Sequence, residues 1–181
     1  MMTTAELLRL PEADVNRWLV QGQLRERPRT LHDRRHARAM TTVSTLLEAW
    51  RLLHRKRGGL VLAGEVGLRL ARDPDTTLGV DVVYVTDRGL ARDWDDETLI
   101  EEIPILVVEI LSPSDVFEDI KEKIDLYQKY RVPLIWVIDP HDRTVTIYRL
   151  DAEPELVNIR QELTGEPFLP GFRVPVAEIF A

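Results

Sequence analysis

The sequence predicts an α/β (α+β) fold in which a mixed β-sheet is flanked by helices. Its length of 181 residues and hydrophobic content of 44% suit one domain with one core, spanning residues 1–181. The segments follow the order helix, several strands, helix and two strands, which is typical of a mixed sheet with helices packed on it. No repeat, linker or low-complexity tract interrupts this order.

The N-terminal half contains two helical patterns and three strand-like ones. Thr3 or Thr4 can cap a short helix at "AELLRL", which Pro11 ends, and "RWLVQGQLRER" indicates either one strand or a hairpin centred on Gly22. The apolar residues between 33 and 57 recur at the helical period until "RGG", which predicts the first long helix. The runs "LVLAGEVGLRL" and "GVDVVYV" then predict two neighbouring strands, separated by the turn residues of "ARDPDTT".

The C-terminal half predicts a strand, a helix and a hairpin. The polar, acidic "RGLARDWDDETLIEE" predicts a surface loop that leads into the strand "IPILVVEIL". A helix from about Val116 to Tyr130 follows, and Ser112 or Ser114 can cap it. "PLIWVID" and "TVTIYRL" predict a hairpin that turns at "PHDR", and "LPGFRVPVAEIF" is expected to pack back on the core.

The composition excludes several classes of protein. The absence of cysteine excludes a disulfide framework, a thiolate metal site and a cysteine nucleophile, so any metal would be held by oxygen or by one of four histidines. The longest apolar runs are too short to cross a bilayer, and the first residues lack the basic-then-apolar order of a secretory signal. We therefore expect a cytoplasmic protein without a membrane partner.

The charge is unevenly distributed along the chain. The net charge of −7 argues against a polyanion partner, yet residues 25–57 hold ten basic residues against three acids. This asymmetry fits a basic flank beside an acidic site, and it fits equally a solvated, arginine-rich helix.

Two of the strand-like runs carry an acid where a buried strand usually carries valine or isoleucine. Asp81 lies near the start of "GVDVVYV", and Glu109 lies near the end of "IPILVVEIL". An unpaired buried carboxylate is costly as an ion, so each must reach water, a cation or a metal. Either acid alone could be a solvated or salt-bridged residue at a strand end, but two on neighbouring strands favour a shared site. Paired carboxylates are also expected to raise the pKa of at least one of them.

The helix after Glu109 adds a lysine to this pattern. On a helical wheel Lys123 falls inside the apolar arc, one turn from Tyr127, whereas Lys121 and Lys129 point away. Lys123 either extends its stem along the sheet towards solvent or directs its ammonium group at an acid. Beside a phosphodiester, two carboxylates and a lysine form a hydrolytic set, because the acids hold a divalent ion that polarises phosphate and acidifies water. The lysine would stabilise developing negative charge or orient a water.

A resemblance makes this chemistry more specific. "GVDVVYV", "LVVEILSPSD", "EKIDLYQKYRVPLIWVIDPHDRTVTIYRL" and "LPGFRVPVAEIF" resemble successive blocks of the Uma-two (Uma2) family of restriction endonucleases, within the PD-(D/E)XK nuclease superfamily. The resemblance runs from about residue 5 to the C-terminus and is most specific over Leu106 to Arg149. It implies a restriction-endonuclease-like core and Mg²⁺- (or Mn²⁺-) dependent hydrolysis of DNA phosphodiester bonds.

The resemblance also assigns roles to residues. The family's aspartate falls on Asp81 and its strand glutamate on Glu109, which would be the metal ligands. The superfamily's usual lysine position, two residues after the glutamate, is Leu111 here. The resemblance instead implies Lys123, in an "EK" pair four residues before Tyr127, in agreement with the helical wheel.

The sequence departs from the family pattern in two places. Val80 replaces the proline that usually precedes the aspartate. Family members typically carry acids in a stretch resembling "ELIDGE", whereas the aligned "WLVQGQ" has Trp18, Gln21 and Gln23 instead. We therefore expect an auxiliary metal or substrate contact to be missing there.

Three further residues are auxiliary candidates, and two functions are open. His36 matches a histidine often found at the start of the first long helix, where packing is the favoured role. Glu65 is another strand acid that could join the site. Tyr127 lies one helical turn from Lys123. The first function is a metal-dependent endonuclease, expected to be a homodimer because cutting both strands of a duplex needs two sites. The second is a catalytically weak or inactive nuclease-fold protein that acts as a nucleic-acid-binding or interaction module.

Overall fold

A computed structural model describes residues 1–30, 33–54, 58–86 and 99–181 of the chain. Four helices and ten strands are assigned in these ranges. In chain order they are α1 (Thr4–Leu8), β1 (Val15–Val20), β2 (Gln23–Pro28), α2 (Arg34–Leu53), β3 (Leu60–Ala71), β4 (Thr76–Val85), β5 (Leu106–Ile110), α3 (Phe117–Lys129), β6 (Leu134–Asp139), β7 (Thr144–Arg149), β8 (Glu155–Asn158), β9 (Glu162–Thr164), β10 (Arg173–Pro175) and α4 (Val176–Ile179).

A mixed, eight-stranded sheet forms the centre of the fold. Its order is β2-β1-β4-β5-β6-β7-β8, with β3 pairing to β4, while β9 and β10 form a separate ribbon. β5 and β6 are parallel and are joined through α3, whereas the other pairs of the sheet are antiparallel. The prediction of a mixed sheet flanked by helices is therefore confirmed.

The two long helices cover opposite faces of this sheet. The buried face of α2 packs into one apolar cluster with Val108 of β5 and Leu134 of β6, and α3 contributes Leu126 and Tyr127 to a second cluster with Val107. Since both of its faces are covered, β5 is buried along its whole length. A carboxylate in this strand needs partners supplied by the protein.

Several local predictions are confirmed by the structure. Thr3 caps α1 in a capping box with Glu6. β1 and β2 form a hairpin rather than one strand, and positive φ at Gln21 and Gly22 is typical of the turns that join twisted strands. The segment that ends the sequence packs on the core, where Phe172 is buried.

Other local predictions were wrong or fall outside the described residues. Neither Ser112 nor Ser114 caps α3; its N-cap is Val116 without a side-chain hydrogen bond, because the serines and Asp115 bond to one another in the preceding turn. Helix α2 ends at Leu53, and residues 55–57 of the predicted helix lie outside the described residues. So do residues 88–98 of the predicted surface loop.

Among the residues that the structure describes, no helix has the length and apolar character needed to span a membrane.

Candidate active site

Glu109 lies in the middle layer of the fold and is held by two side chains of α3. Only 3% of Glu109 is exposed. Lys123 donates from Nζ to Oε2 at 2.8 Å, and the Tyr127 hydroxyl donates to Oε1 at 2.5 Å. Because Lys123 and Tyr127 are four residues apart on one helix, they lie on the same face and reach both oxygens of one carboxylate. Of the two alternatives for Lys123, the structure has its ammonium group on the acid.

Asp81 lies next to Glu109 in the sheet and is also buried. Since β4 and β5 pair with Val82 opposite Val108, Asp81 and Glu109 occupy the next position along their strands. Asp81 Oδ2 accepts a hydrogen bond from the Ile110 backbone N–H at 2.7 Å. The expectation that Asp81 lies near the start of its strand was wrong, because β4 begins at Thr76 and places Asp81 in its interior. Glu109, in contrast, lies near the end of its strand as predicted, because β5 ends at Ile110.

His36 joins the site from the opposite face. Asp33 caps α2 by accepting hydrogen bonds from the N–H groups of Arg35 and His36, which fixes the first turn of the helix. His36 Nε2 lies 3.5 Å from Asp81 Oδ1, and the ring is buried. A role in packing alone is therefore incomplete, since this histidine also contacts the candidate aspartate.

Glu65 reaches the edge of the site through an irregularity in β3. The register of β3 against β4 shifts between Ala63 and Val66, and Gly64 and Glu65 both have positive φ. A Cβ added at Gly79 would come within 2.4 Å of Glu65 Oε2, so the carboxylate lies directly over this glycine. The Gly79 carbonyl in turn accepts a hydrogen bond from Lys123 Nζ at 2.8 Å.

The electrostatics of the cluster follow from its burial. Burial raises the pKa of Glu109 to about 7, and the charge of Asp81 adds to this, although Lys123 and Tyr127 oppose it. Burial lowers the pKa of Lys123, but the charge and hydrogen bond of Glu109 outweigh it and raise the pKa above its ordinary value. His36 behaves likewise: burial lowers its pKa, but the hydrogen bond and charge of Asp81 outweigh burial and raise the pKa above its ordinary value. Burial and the nearby carboxylate raise the pKa of Tyr127 well above its ordinary value.

The donor set determines which metals could bind. Within the described residues no group of three or more His, Cys, Asp or Glu side chains is placed to hold an ion. Asp81 and Glu109 supply two carboxylates, and Mg²⁺ is commonly bound through one or two carboxylates with water and substrate phosphate completing its shell. The site therefore fits a hard divalent ion that binds together with water and substrate, and it does not form an all-protein cage.

The residues that replace the family's N-terminal acids do not join this cluster. Trp18 is packed in the apolar core, the backbone N–H of Gln21 donates to the Thr76 hydroxyl, and Gln23 accepts from Arg25. In the described part of the chain, none of the three is hydrogen-bonded to the candidate acids or to the lysine.

Two groups of described arginines from the basic segment between residues 25 and 57 lie in different places. In β2, Arg27 forms two hydrogen bonds to Asp119 of α3, and Arg25 lies 3.4 Å from Glu122. The charges of these two arginines are neutralised by Glu122 and Asp119 of α3. The arginines of the first turns of α2 lie elsewhere, in a separate pocket.

Two site contacts could not be found from the sequence. Both are made by backbone atoms, the Ile110 N–H on Asp81 and the Gly79 carbonyl on Lys123. A pattern of side-chain types carries no signal for such contacts. Gly79, which precedes the "VD" pair, is a weak indication, because a close approach to the backbone favours glycine.

Comparisons with known proteins agree with this architecture. The model of the Uma2 family, described as "Putative restriction endonuclease", matches residues 4–177. The crystal structure of a protein from Anabaena variabilis, described as a putative nuclease belonging to DUF820, superposes with a TM-score of 0.81 at 19% identity and covers 99% of this chain and 98% of its own. This similarity confirms the predicted fold. No curated protein matched the chain.

Proposed function

The chain belongs to the Uma2 family of restriction endonucleases, and from that premise we propose that it is a metal-dependent endonuclease that hydrolyses DNA phosphodiester bonds. The family and the fold are those of nucleases. The metal, the substrate and the roles of individual residues are the parts that we add.

One observation carries the proposal. Lys123 comes from a helix and lies 2.8 Å from a buried strand glutamate, although the usual lysine position along the strand is Leu111. A lysine that only extended its stem would place its ammonium group in solvent. Instead Lys123 has 19% of its side chain exposed and donates to Glu109, beside Asp81. This proximity of two acids and one lysine supports the proposal, although the lysine comes from a helix and not from the strand.

We assign the metal to Asp81 and Glu109. A divalent ion such as Mg²⁺ or Mn²⁺ would supply Lewis-acid chemistry, which polarises a phosphate and acidifies a water. Both acids are buried side by side, and the raised pKa of Glu109 indicates that a positive charge in addition to Lys123 would be stabilising there.

The side chains around the two acids hold them in place and complete the charge. Tyr127 and His36 act as positioning residues, the first on Glu109 and the second on Asp81. Lys123 keeps its proton at neutral pH, because its pKa is raised, and so offers a fixed cation to the negative charge that develops on phosphate. Its ammonium group is equally placed to orient a water that attacks the phosphorus.

Nicking of supercoiled plasmid tests this proposal. We expect nicking by the wild-type protein with Mg²⁺ or Mn²⁺ and none with a chelator. Lys123→Met should reduce the rate of nicking by on the order of 10², for the loss of one charge-stabilising group. Lys121→Met is the matched control, because Lys121 is exposed on the same helix and pairs with Asp125. Equal activity in the Lys123 and Lys121 variants would remove Lys123 from the mechanism, and absence of nicking in the wild type would favour the non-catalytic binding module.

Two further features belong to the same proposal. Cutting both strands of a duplex needs two sites, so we propose a homodimer. Light scattering on the purified protein tests this directly. A monomeric mass, both with and without DNA, would contradict it. We also propose a cytoplasmic location, which is where a DNA substrate would be met.

A further inference from the structure

A second charged site lies between the start of α2, the β6–β7 turn and α4. It is a cavity of about 430 Å³. Arg34, Arg35 and Arg38 line it from α2, and His141 and Arg143 line it from the β6–β7 turn. The end of α4 adds an apolar side. We refer to this cavity as the arginine pocket.

The arginine pocket concentrates positive charge. Its lining residues carry four guanidinium groups and no carboxylate side chain. In the part of the chain that the structure describes, none of these four arginines forms an ion pair with an aspartate or glutamate side chain. The nearby Asp33 caps α2 and attracts Arg35 electrostatically, which compensates only part of this charge. Other arginines of this acidic protein are paired, as in Arg17 with Glu26, Arg27 with Asp119, Arg149 with Glu155 and Arg173 with Glu162.

The position of these arginines is unfavourable for the helix itself. The N-terminal end of a helix carries partial positive charge and favours acids. Asp33 supplies one at the N-cap of α2, but the first turn itself contains arginines and no acid. Arg34 and Arg38 are four residues apart, so they are neighbours of like charge on one face. Local preferences that are broken in this way are expected at functional sites.

Two contacts hold the pocket arginines in place. The Arg35 Nη1 group lies 3.3 Å from His141 Nδ1, and Arg38 donates from Nε to the backbone oxygen of Ala181 at 2.8 Å. Asp139 fixes the turn by accepting hydrogen bonds from the N–H groups of His141 and Asp142. Arginines oriented in advance lose less entropy when they bind an anion, and their planar groups match phosphate oxygens.

The arginine pocket lies at the same end of the sheet as the candidate active site. In the parallel pair β5 and β6, Ile110 is opposite Ile138, so the ends of both strands meet there. Glu109 is one residue before the end of β5, opposite Asp81 of β4, and the turn with Arg143 follows β6. Helix α2 joins the two places directly, since His36 contacts Asp81 and its neighbour Arg35 lines the pocket.

We propose that the arginine pocket binds backbone phosphates of a nucleic-acid strand whose neighbouring phosphodiester lies at the candidate active site. This inference rests on the proposed function for its substrate and adds the place where the strand is held. A net charge of −7 repels a polyanion, so binding requires a local concentration of positive charge, and the pocket provides it. The four arginines come from two separate elements and are exposed, which suits a strand crossing the surface better than an enclosed small anion.

Fluorescence anisotropy with a labelled DNA duplex in EDTA measures this binding without cleavage. The pocket variant is Arg34→Gln/Arg38→Gln/Arg143→Gln. The matched control, Arg17→Gln/Arg27→Gln/Arg173→Gln, removes the same charge from exposed or half-buried arginines that are paired with acids. Each lost phosphate contact reduces the slope of log K against log salt by about 0.9, so we expect a reduction of up to about 3 in the pocket variant. Its affinity should fall by more than about 10-fold, against less than about 2-fold in the control.

The outcomes separate this inference from the proposed function. Equal affinity and slope in the pocket variant and the wild type would overturn the inference, whether or not plasmid is nicked. Displacement of the duplex by low concentrations of inorganic phosphate would also overturn it, because the pocket would then be a small-anion site. A reduced slope in the pocket variant supports it, even if the wild type shows no nicking with metal. The single variant Arg143→Gln repeats the test should the triple variant unfold, with an expected change in slope of about 0.9.

Discussion

The pH dependence of stability reports directly on Glu109. This carboxyl has a pKa of about 7 in the folded protein, against an ordinary value of 4.5 that applies to the unfolded chain. Between these two values the folded protein retains the proton and the unfolded chain has lost it. Stability should therefore fall as the pH rises from about 4.5 to about 7, and Glu109 should contribute no further change above that.

The size of this effect follows from the shift. A difference of about 2.5 pKa units corresponds to about 3 kcal/mol of unfolding free energy. Glu109→Gln keeps the shape of the side chain and removes the titration, so the variant should gain about 3 kcal/mol relative to the wild type across this pH range. Lys123 and Tyr127 remain next to the amide and can still bond to it.

Urea unfolding at several pH values between 4 and 8 measures the difference between the two proteins. Because the other titrating groups are common to both, their contributions cancel in the difference. We expect a difference curve that rises through the window from about 4.5 to about 7. A flat difference curve would refute the reasoning, because it would mean that Glu109 ionises in the folded protein as it does in the unfolded chain.

Three other predictions concern Glu109 and its neighbours. Tyr127→Phe removes one donor from the carboxylate, so it should destabilise the protein by about 1.5–3 kcal/mol at pH 8 and by less at pH 5, and it should move the pH profile of nicking upwards. Tyr130→Phe is its control, because the Tyr130 hydroxyl makes only a long contact of 3.5 Å with the Thr76 hydroxyl. The control should change neither the stability nor the pH profile. Gly79→Ala should displace the carboxylate of Glu65 and lower stability by less than about 1 kcal/mol, since the clash is with the end of a flexible side chain. Its effect on nicking should match that of Glu65→Gln. Additive effects of the two substitutions in the double variant would contradict this prediction. Finally, Mn²⁺ affinity should be about 10-fold weaker at pH 6 than at pH 8, because Glu109 must lose its proton to bind metal; an affinity independent of pH would count against Glu109 as a ligand.

The fold was largely predictable because its patterns are local. Helix α2 has an apolar period, and strands β5 and β6 are continuous apolar runs, so the structure has these elements close to the predicted limits. The cap of α3 was not predicted, since Ser112 and Ser114 satisfy each other and Asp115 instead of the helix end. Such competition between local hydrogen bonds depends on the path of the turn, which the residue types do not specify.

The candidate site was predictable only in part. The position of Lys123 in an apolar arc indicated that it faces the sheet, and the structure has it on Glu109. The prediction that Glu109 lies near the end of its strand is confirmed, because β5 ends at Ile110. Its nearly complete burial and the hydrogen bond from Tyr127 were not predicted. The depth of a carboxylate depends on which elements cover it, and that is a property of the assembled fold.

The account's central claim is that Asp81 and Glu109 hold a divalent metal. Titration calorimetry of Mn²⁺ into the wild-type protein and into Glu109→Gln tests it most directly, with Lys121→Met as the control. We predict one site in the wild type and in the control, and no binding in the Glu109 variant. Absence of binding in the wild type, or equal binding in all three proteins, would contradict the claim.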